Sequence, residues 1–234
     1  EDEKVVLDLL DPELANELIS YPSNLLARLA PYRGKRTWVV IDEVQKAPPL
    51  LDLVHKLIQE KQFKFALTGS SARKLKRGAA NLLAGRAFIY HLFPLAAPEL
   101  QDRFRLEEAL KYGTLPEIFS FENASDKSAF LKAYGETYLK EEIITEQIVR
   151  NLPPFRRFLD VAAQMNTEVI NYSNIAKDIH SDPKTVSGYY DILEDTLLGF
   201  RLHAYHRSIR QRQKKAAKFY LFDTGVARTL SGQV

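Results

Sequence analysis

Apolar and polar positions are most informative between residues 37 and 71, where two apolar runs flank a segment with helical periodicity. The first run extends from Trp38 to Ile41, between basic residues and two prolines, which predicts a central parallel strand covered on both faces. Apolar residues then recur at i, i+3, i+4, i+7 and i+8 from Leu50, which predicts an amphipathic helix. Residues 63–71 form a second apolar strand, so the pattern predicts an α/β fold with a parallel sheet.

Two adjacent carboxylates, Asp42 and Glu43, stand at the carboxyl end of the first predicted strand. In doubly wound α/β folds, chemistry is found at this end of the strands. One carboxylate there can hold Mg²⁺ while its neighbour orients an attacking water, as in phosphoryl-transfer enzymes. The alternative is a strand followed by a helix cap, which is the commoner meaning of this pattern when it stands alone.

A third apolar run at residues 87–95 predicts another strand, and it follows a segment that ends in Gly85 and Arg86. From Lys61 to Pro98 the chain has no acidic residue, whereas seven residues there are basic: Lys61, Lys64, Arg73, Lys74, Lys76, Arg77 and Arg86. This imbalance has two interpretations. The first is a solvated basic loop, and the second is a sheet edge kept positive for a polyphosphate or a nucleic acid.

These segments occur in an order that is similar to a known family. VVIDEVQKAP at 39–48, LTGSSARKL at 67–75 and LLAGRA at 82–87 resemble the Walker B strand, the sensor 1 strand and the arginine segment of prokaryotic AAA+ ATPases. In that family a winged-helix segment and a nuclease-like domain follow the core, and the later YLKEEI and FYLFDTGVA resemble these downstream domains. The resemblance therefore implies a P-loop NTPase core of AAA+ type.

The resemblance also implies an activity, namely Mg²⁺-dependent hydrolysis of ATP coupled to an unknown task, for which a DNA-related process is one expectation. Asp42 would serve the metal and Glu43 would position the attacking water. Thr68 or Ser70 would sense the γ-phosphate, and Arg86 would act as an arginine finger. Self-association through the AAA+ core is a further expectation from the family.

One feature of that family is missing, because no Gly-x-x-x-x-Gly-Lys-Ser/Thr motif occurs in the sequence. The backbone cradle and the lysine of this motif supply most of the phosphate binding in such enzymes. Residues 5–11 resemble the family's second strand, so we expect this chain to be a fragment whose P-loop lies upstream; a degenerate ATPase is the alternative. The 234 residues alone are expected to bind nucleotide poorly and to be inactive.

Composition narrows the class of protein. The chain has 234 residues, 45% hydrophobic content and a net charge of +3, which suits one large or two ordinary domains with real cores. It has no cysteine, which fits a reducing compartment. Because no apolar run approaches the roughly 20 residues of a membrane span and no secretory segment is present, the sequence predicts a soluble, cytoplasmic protein.

The chain is expected to contain four regions. These are an ATPase core lacking its P-loop at 1–98, a helical connector at 99–150, a winged helix-turn-helix at 151–207, and a basic wing with the start of a further domain at 208–234. The connector should contain one long helix at 130–148.

Within the winged helix-turn-helix, Ser173 is expected to cap the second helix, and Asp182 followed by Pro183 to begin the third. Gly199 is expected to end the third helix, and a first wing strand should follow it. A later strand is expected to end at Asp223, which would cap a helix from Thr224.

A nucleic-acid surface is a further possibility in this region. The start of the third helix offers Lys184, but acidic Asp191, Glu194 and Asp195 follow, which makes a poor phosphate-binding face. The wing is strongly basic, with Arg201, Arg207, Arg210, Arg212, Lys214, Lys215 and Lys218 and no acid among them. Such a hairpin predicts binding to the DNA backbone without sequence preference, and a solvated wing used for protein contacts is the alternative.

The sequence thus leaves a second class of function beside the ATPase, a non-catalytic DNA-binding or protein-interaction module. A nuclease is suggested only by the family's downstream domain, and no Asp…Glu-x-Lys constellation is complete here.

Overall fold

A computed structural model describes residues 3–69, 87–135, 152–208, 210 and 215–233. The chain divides into two compact units, Glu1–Tyr90 and His91–Val234.

The first unit contains a parallel three-stranded sheet in the order β1-β2-β3. Its strands are β1 (Glu3–Asp8), β2 (Thr37–Asp42) and β3 (Lys64–Leu67). Its helices are α1 (Pro12–Ser20), α2 (Asn24–Leu29) and α3 (Leu50–Gln59), with 3-10 turns at Ala30–Tyr32 and Val44–Lys46. The prediction of an α/β fold with a parallel sheet is confirmed, as are the strand and the amphipathic helix that follows it.

One face of β2 forms the centre of this unit's core. Val39 and Ile41 are fully buried, together with Leu50, Val54 and Leu57 of α3. Trp38, on the opposite face of the strand, is 39% exposed. The expectation of burial on both faces is therefore wrong, because the helices that share this core cover the face carrying Val39 and Ile41.

The predicted third strand at 87–95 is also wrong. These residues have no strand structure, and Phe88 is 89%, Tyr90 84% and Leu92 93% exposed. An apolar run becomes a strand only beside a neighbour that satisfies its backbone groups. Among the described strands of this unit, β3 pairs only with β2, so none of these strands pairs with the run at 87–95.

The second unit is mainly helical. Its helices are α4 (Ala97–Leu100), α5 (Leu106–Tyr112), α6 (Ala124–Ala133), α7 (Leu152–Gln164), α8 (Tyr172–Asp178), α9 (Pro183–Asp195) and α10 (Thr224–Leu230), with 3-10 turns at Gln101–Arg103 and Pro116–Ser120. Strands β4 (Gly199–Leu202) and β5 (Lys218–Leu221) pair antiparallel. Helix α6 passes into a π-helical turn at Tyr134 and Gly135, and residues 136–148 of the predicted long helix lie outside the described residues.

Aromatic side chains fill the core between α7, α9 and β5. The ring of Tyr190 lies edge-on to Phe158 and Phe219, with centroid distances of 4.9 and 4.8 Å. All three residues are at most 1% exposed. Edge-to-face pairs of this kind add about 0.5–1.5 kcal/mol each beyond the area that they bury. This cluster therefore fixes β5 against α9.

The boundaries of the helices agree with the sequence in part. Asp182 caps α9 as predicted, accepting hydrogen bonds from the backbone N–H groups of Lys184 (2.9 Å) and Thr185 (3.0 Å). Helix α8 is capped by Asn171 and not by Ser173, since the Asn171 side chain accepts from Asn174 N. Asparagine and serine are both good N-cap residues, so the sequence alone did not show which of the two begins α8.

Gly199 does not end α9, which stops at Asp195, but begins β4. A Cβ atom at Gly199 would lie 2.3 Å from the Phe219 ring and 2.6 Å from the Tyr220 carbonyl oxygen. Glycine is needed here because two strands approach each other closely.

Asp223 caps α10, as the sequence predicted, and it also joins α10 to the end of α5. Its Oδ1 accepts from Val226 N (3.0 Å) and its Oδ2 from Thr114 N (2.7 Å). Gly113 has φ +74°, and a Cβ atom there would lie 2.0 Å from Oδ1 of Asp223. Burial raises the pKa of Asp223, and the backbone N–H donors partly oppose that shift.

Candidate functional site

The ends of β2 and β3 meet at the carboxyl edge of the parallel sheet. Thr68 N donates to the Ile41 carbonyl (3.0 Å), and Val44 N donates back to the Thr68 carbonyl (3.0 Å). On the other side, Leu9 N donates to the Asp42 carbonyl (3.2 Å). The backbone therefore fixes Asp42 between the residues that follow β1 and β3.

Thr68 also contacts Asp42 through its side chain, because its hydroxyl donates a hydrogen bond to Asp42 Oδ1. Asp42 is half-buried and Thr68 is exposed, so both groups reach the surface at this edge. The sequence assigned Asp42 to a metal and Thr68 to the γ-phosphate, and the structure brings these two side chains together. Their roles in chemistry remain predictions.

Glu43 has an unusual backbone conformation, with φ 55° and ψ 40°. Residues other than glycine seldom adopt this left-handed conformation, which costs roughly 1–2 kcal/mol. The hydrogen bond from Val44 N to the Thr68 carbonyl follows this residue directly and holds the turn. The Glu43 side chain is oriented by Gln45, whose Nε2 donates to Oε2 at 2.5 Å. Strain of this kind is concentrated at functional sites.

Ser70 and Arg86, the other two residues assigned to the nucleotide, lie outside the described residues. Sequence reasoning missed Asp8, which ends β1 and is the register partner of Asp42. Its Oδ1 accepts from Leu10 N at 2.8 Å, so it caps the turn after β1. An aspartate at the end of a neighbouring parallel strand was the signal that could have identified it.

The donor set at this edge fits Mg²⁺ better than a transition metal. Asp42 and Thr68 offer oxygen atoms, which Mg²⁺ prefers. In the part of the chain that the structure describes, no group of three or more His, Cys, Asp or Glu residues is placed to hold a metal.

The residues assigned to nucleic acid lie in the second unit. Lys184 is exposed in the first turn of α9, and Arg207, Arg210 and Lys215 are exposed between β4 and β5. Arg212 and Lys214 lie outside the described residues.

Arg201 is not part of this basic surface, although its position in the sequence suggested it. Its guanidinium pairs with Asp191 and with Glu194, whose Oε2 lies 2.8 Å from Nη2, and its side chain is 13% exposed. Burial alone would lower the pKa of Arg201, but these carboxylates raise it above its ordinary value. Two of the three acids on α9 are thus paired with a wing arginine.

No helix among residues placed by the structure is long and apolar enough to cross a membrane.

Comparisons with known proteins match two parts of the chain. A model described as an AAA domain matches residues 1–101, and a model described as a domain of unknown function, DUF8612, matches residues 103–233. An uncharacterized protein of Mycobacterium tuberculosis is 26% identical over 200 residues, which cover 83% of this chain and 44% of that protein. An uncharacterized protein of Haemophilus influenzae is 23% identical over 225 residues, covering 89% of this chain and 56% of that protein.

The chain spans about half the length of the curated relatives that it matches. Among solved structures, the Aeropyrum pernix ORC1 protein in complex with DNA matches with a TM-score of 0.36 and 14% identity, covering 99% of this chain and 78% of that chain. A likeness of this size is too distant for that protein's binding partner to bear on this one.

Proposed function

Because the chain belongs to the family defined by the domain of unknown function DUF8612 and also matches an AAA domain over residues 1–101, we propose that the full-length protein binds and hydrolyses ATP with Mg²⁺. The reaction would take place at the carboxyl edge of the first unit's sheet. The observation that carries this proposal is the hydrogen bond from Thr68 to Asp42 at that edge, inside the segment that matches the AAA domain.

Each residue has a defined part in this proposal. Asp42 holds Mg²⁺, and the Thr68 hydroxyl fixes the orientation of its carboxylate. Glu43 orients the attacking water, with its own carboxylate held by Gln45. The metal, when bound, neutralises charge on the β- and γ-phosphates. Ser70 and Arg86 are assigned by the family resemblance alone, Ser70 as an alternative to Thr68 at the γ-phosphate and Arg86 as an arginine finger.

The position of the pair supports this assignment. Ligands of open α/β sheets bind outside the carboxyl ends of the strands. Asp42 is the last residue of β2, and Thr68 immediately follows β3. A carboxylate that served only as a helix cap would accept from the backbone of the next helix. The Asp42 side chain instead accepts from a hydroxyl at the end of the next strand.

The test is ATP turnover and ATP binding by the full-length protein and its Glu43→Gln variant. The amide keeps the shape of the side chain but does not help to activate water, so turnover should fall by about 10² or more while ATP binding persists. Glu60→Gln, at the end of α3 in the same unit, is the matched control and should leave turnover unchanged. Normal turnover in Glu43→Gln would remove the Walker B assignment.

A second candidate function concerns residues 152–221. Three helices, α7 to α9, precede the antiparallel pair β4 and β5, which is the order of a winged helix-turn-helix. No acidic residue occurs from Leu197 to Phe222, and Arg207, Arg210 and Lys215 are exposed there. This supports a DNA-binding unit that contacts the phosphate backbone. Anisotropy titration with duplex DNA tests it, and absence of binding even at low salt would favour a protein partner.

A further inference from the structure

The two-stranded sheet of the second unit has an outer face that the core does not cover. In the register of β4 and β5, Phe200 lies opposite Tyr220 and Leu202 lies opposite Lys218. Gly199 and Phe219 are buried, so the alternation of side chains directs Phe200, Leu202, Lys218 and Tyr220 to the other side. We call these four residues the outer sheet face.

Two aromatic rings on this face are stacked. The rings of Phe200 and Tyr220 are nearly parallel, with a centroid distance of 5.5 Å and an interplanar angle of 12°. Phe200 is 52% exposed and Leu202 is 53% exposed. In the core beneath, by contrast, Tyr190 meets its aromatic neighbours edge-on and is buried. The stacked pair is therefore partly open to solvent, with Phe200 exposed and Tyr220 half-buried.

The hairpin that carries this surface is basic. Lys218 lies on the outer sheet face itself, and Arg207, Arg210 and Lys215 are exposed in the connection between the two strands. On the inner side of the sheet, Arg201 is already paired with Asp191 and Glu194. These cations are thus additional to Arg201, which pairs with the acids of α9.

We propose that the outer sheet face binds single-stranded nucleic acid, with an unpaired base stacked on Phe200 and Tyr220 and the backbone phosphates near Lys218, Arg207 and Arg210. A stacking platform beside cations is the chemistry by which such strands are bound without sequence preference. In a duplex the bases are stacked on each other, so the aromatic pair gives a duplex no comparable contact. This inference deepens the second candidate function and rests on its basic surface, but it does not depend on ATP hydrolysis.

The test is fluorescence anisotropy of the 234-residue chain with labelled oligo(dT), oligo(U) and a duplex, each of about 15 nucleotides, at about 50 mM salt. Both single strands should bind at least about tenfold more tightly than the duplex. A preference between them shows which of these two strands the face favours. The double variant Phe200→Ala, Tyr220→Ala should weaken oligo(dT) binding about tenfold or more.

Two further variants separate stacking from apolar contact. Phe200→Leu with Tyr220→Leu keeps apolar side chains on the face but removes the rings, and should weaken binding as the alanine pair does. It also keeps the test decisive if the alanine pair folds poorly, which circular dichroism would show. Tyr21→Ala changes an aromatic residue of the first unit that is 66% exposed, and it should bind as the unaltered chain does.

Several results would overturn the proposal. Equal affinity for duplex and single strands would leave backbone binding by the wing intact but remove the stacking platform. Full binding by the leucine pair would do the same. Failure of both single strands to bind would also remove the stacking platform. If the chain forms a dimer, and Phe200→Ala with Tyr220→Ala dissociates it, the face is a contact between two copies of the chain.

Discussion

The hydroxyl of Thr68 donates a hydrogen bond to the carboxylate of Asp42 across the ends of two neighbouring parallel strands. This contact joins two residues that are 26 positions apart in the sequence. The family resemblance assigns Asp42 to the metal and Thr68 or Ser70 to the γ-phosphate, and these roles stay predictions.

Thr68→Val should lower ATP turnover of the full-length protein while Thr68→Ser retains it. Valine keeps the branched shape but has no hydroxyl, so the Asp42 carboxylate loses a donor. A hydrogen bond to a charged group contributes about 1.5–3 kcal/mol, which corresponds to roughly 10- to 100-fold in turnover if it is needed in the transition state. Turnover measured under saturating ATP checks this. Equal activity of the valine and serine variants would show that the contact is only structural.

Glu43→Gly should give a more stable protein than Glu43→Ala. Both changes remove the carboxylate, but alanine keeps the cost of the left-handed backbone at φ 55°, whereas glycine adopts it freely. After the greater entropy of glycine in the unfolded chain is subtracted, the difference should be about 1 kcal/mol in the free energy of unfolding. Urea denaturation of the two variants provides the measurement. Equal stability would mean that the backbone at this position relaxes.

Asp223→Asn should destabilise the second unit by about 1–3 kcal/mol. The amide has one oxygen acceptor in place of two, so its NH₂ group faces a backbone N–H that has lost its acceptor. The two oxygens of Asp223 accept from Val226 N and Thr114 N, and the residue is 4% exposed. Asp182→Asn is the matched control. It is also an N-cap, but an exposed one, and asparagine caps about as well as aspartate. Thermal unfolding that affects both variants equally would contradict the double role of Asp223.

The same two aspartates should titrate on opposite sides of the ordinary value of 3.8. Hydrogen bonds from the Thr185 hydroxyl and from backbone N–H groups lower the pKa of Asp182, and burial raises the pKa of Asp223. Ionised Asp182 therefore stabilises the fold above its unfolded pKa, and this contribution is lost as the pH falls through the folded value. Asp223 acts in the opposite sense, because stability declines as the pH rises from the unfolded value towards the raised one. Carbon-13 NMR of the two carboxyl groups tests both directions.

Arg201→Gln should destabilise the fold without changing the salt dependence of DNA binding. The change removes the guanidinium that pairs with Asp191 and Glu194, at a cost of about 1–3 kcal/mol. A fully buried pair would cost more, but Asp191 is 60% exposed, and Glu194 still accepts from the backbone N–H of residue 201. Replacing Arg207, Arg210 and Lys215 with serine should instead flatten the slope of log affinity for DNA against log salt concentration. The slope should change by up to about 0.9 for each phosphate that the variant no longer neutralises. A flatter slope in Arg201→Gln would mean that this arginine also meets phosphate.

Local periodicity predicted the elements that depend mainly on their own residues. Strand β2, helix α3 and the Asp182 cap follow directly from apolar spacing and capping residues. The run at 87–95 has strong strand character, but strand formation depends on a paired neighbour that a local pattern does not reveal.

The basic wing shows a second limit. Composition placed Arg201 among the DNA-binding residues, whereas the alternation of β4 directs it inwards to two acids on α9. The same alternation places Phe200 outwards beside Tyr220, and only the register of the two strands reveals this aromatic pair.

The bond between Asp223 and Thr114 also has a consequence for synthesis of the chain. The two residues are 109 positions apart, so at about 5–20 residues per second Thr114 leaves the ribosome's catalytic centre roughly 5–20 s before its partner is made. During that interval the turn at Gly113 has neither the carboxylate nor helix α10 against it. The second unit therefore completes its joint between α5 and α10 only after residue 223 has been translated, and a nascent chain arrested before Asp223 would expose this turn to chaperones and proteases.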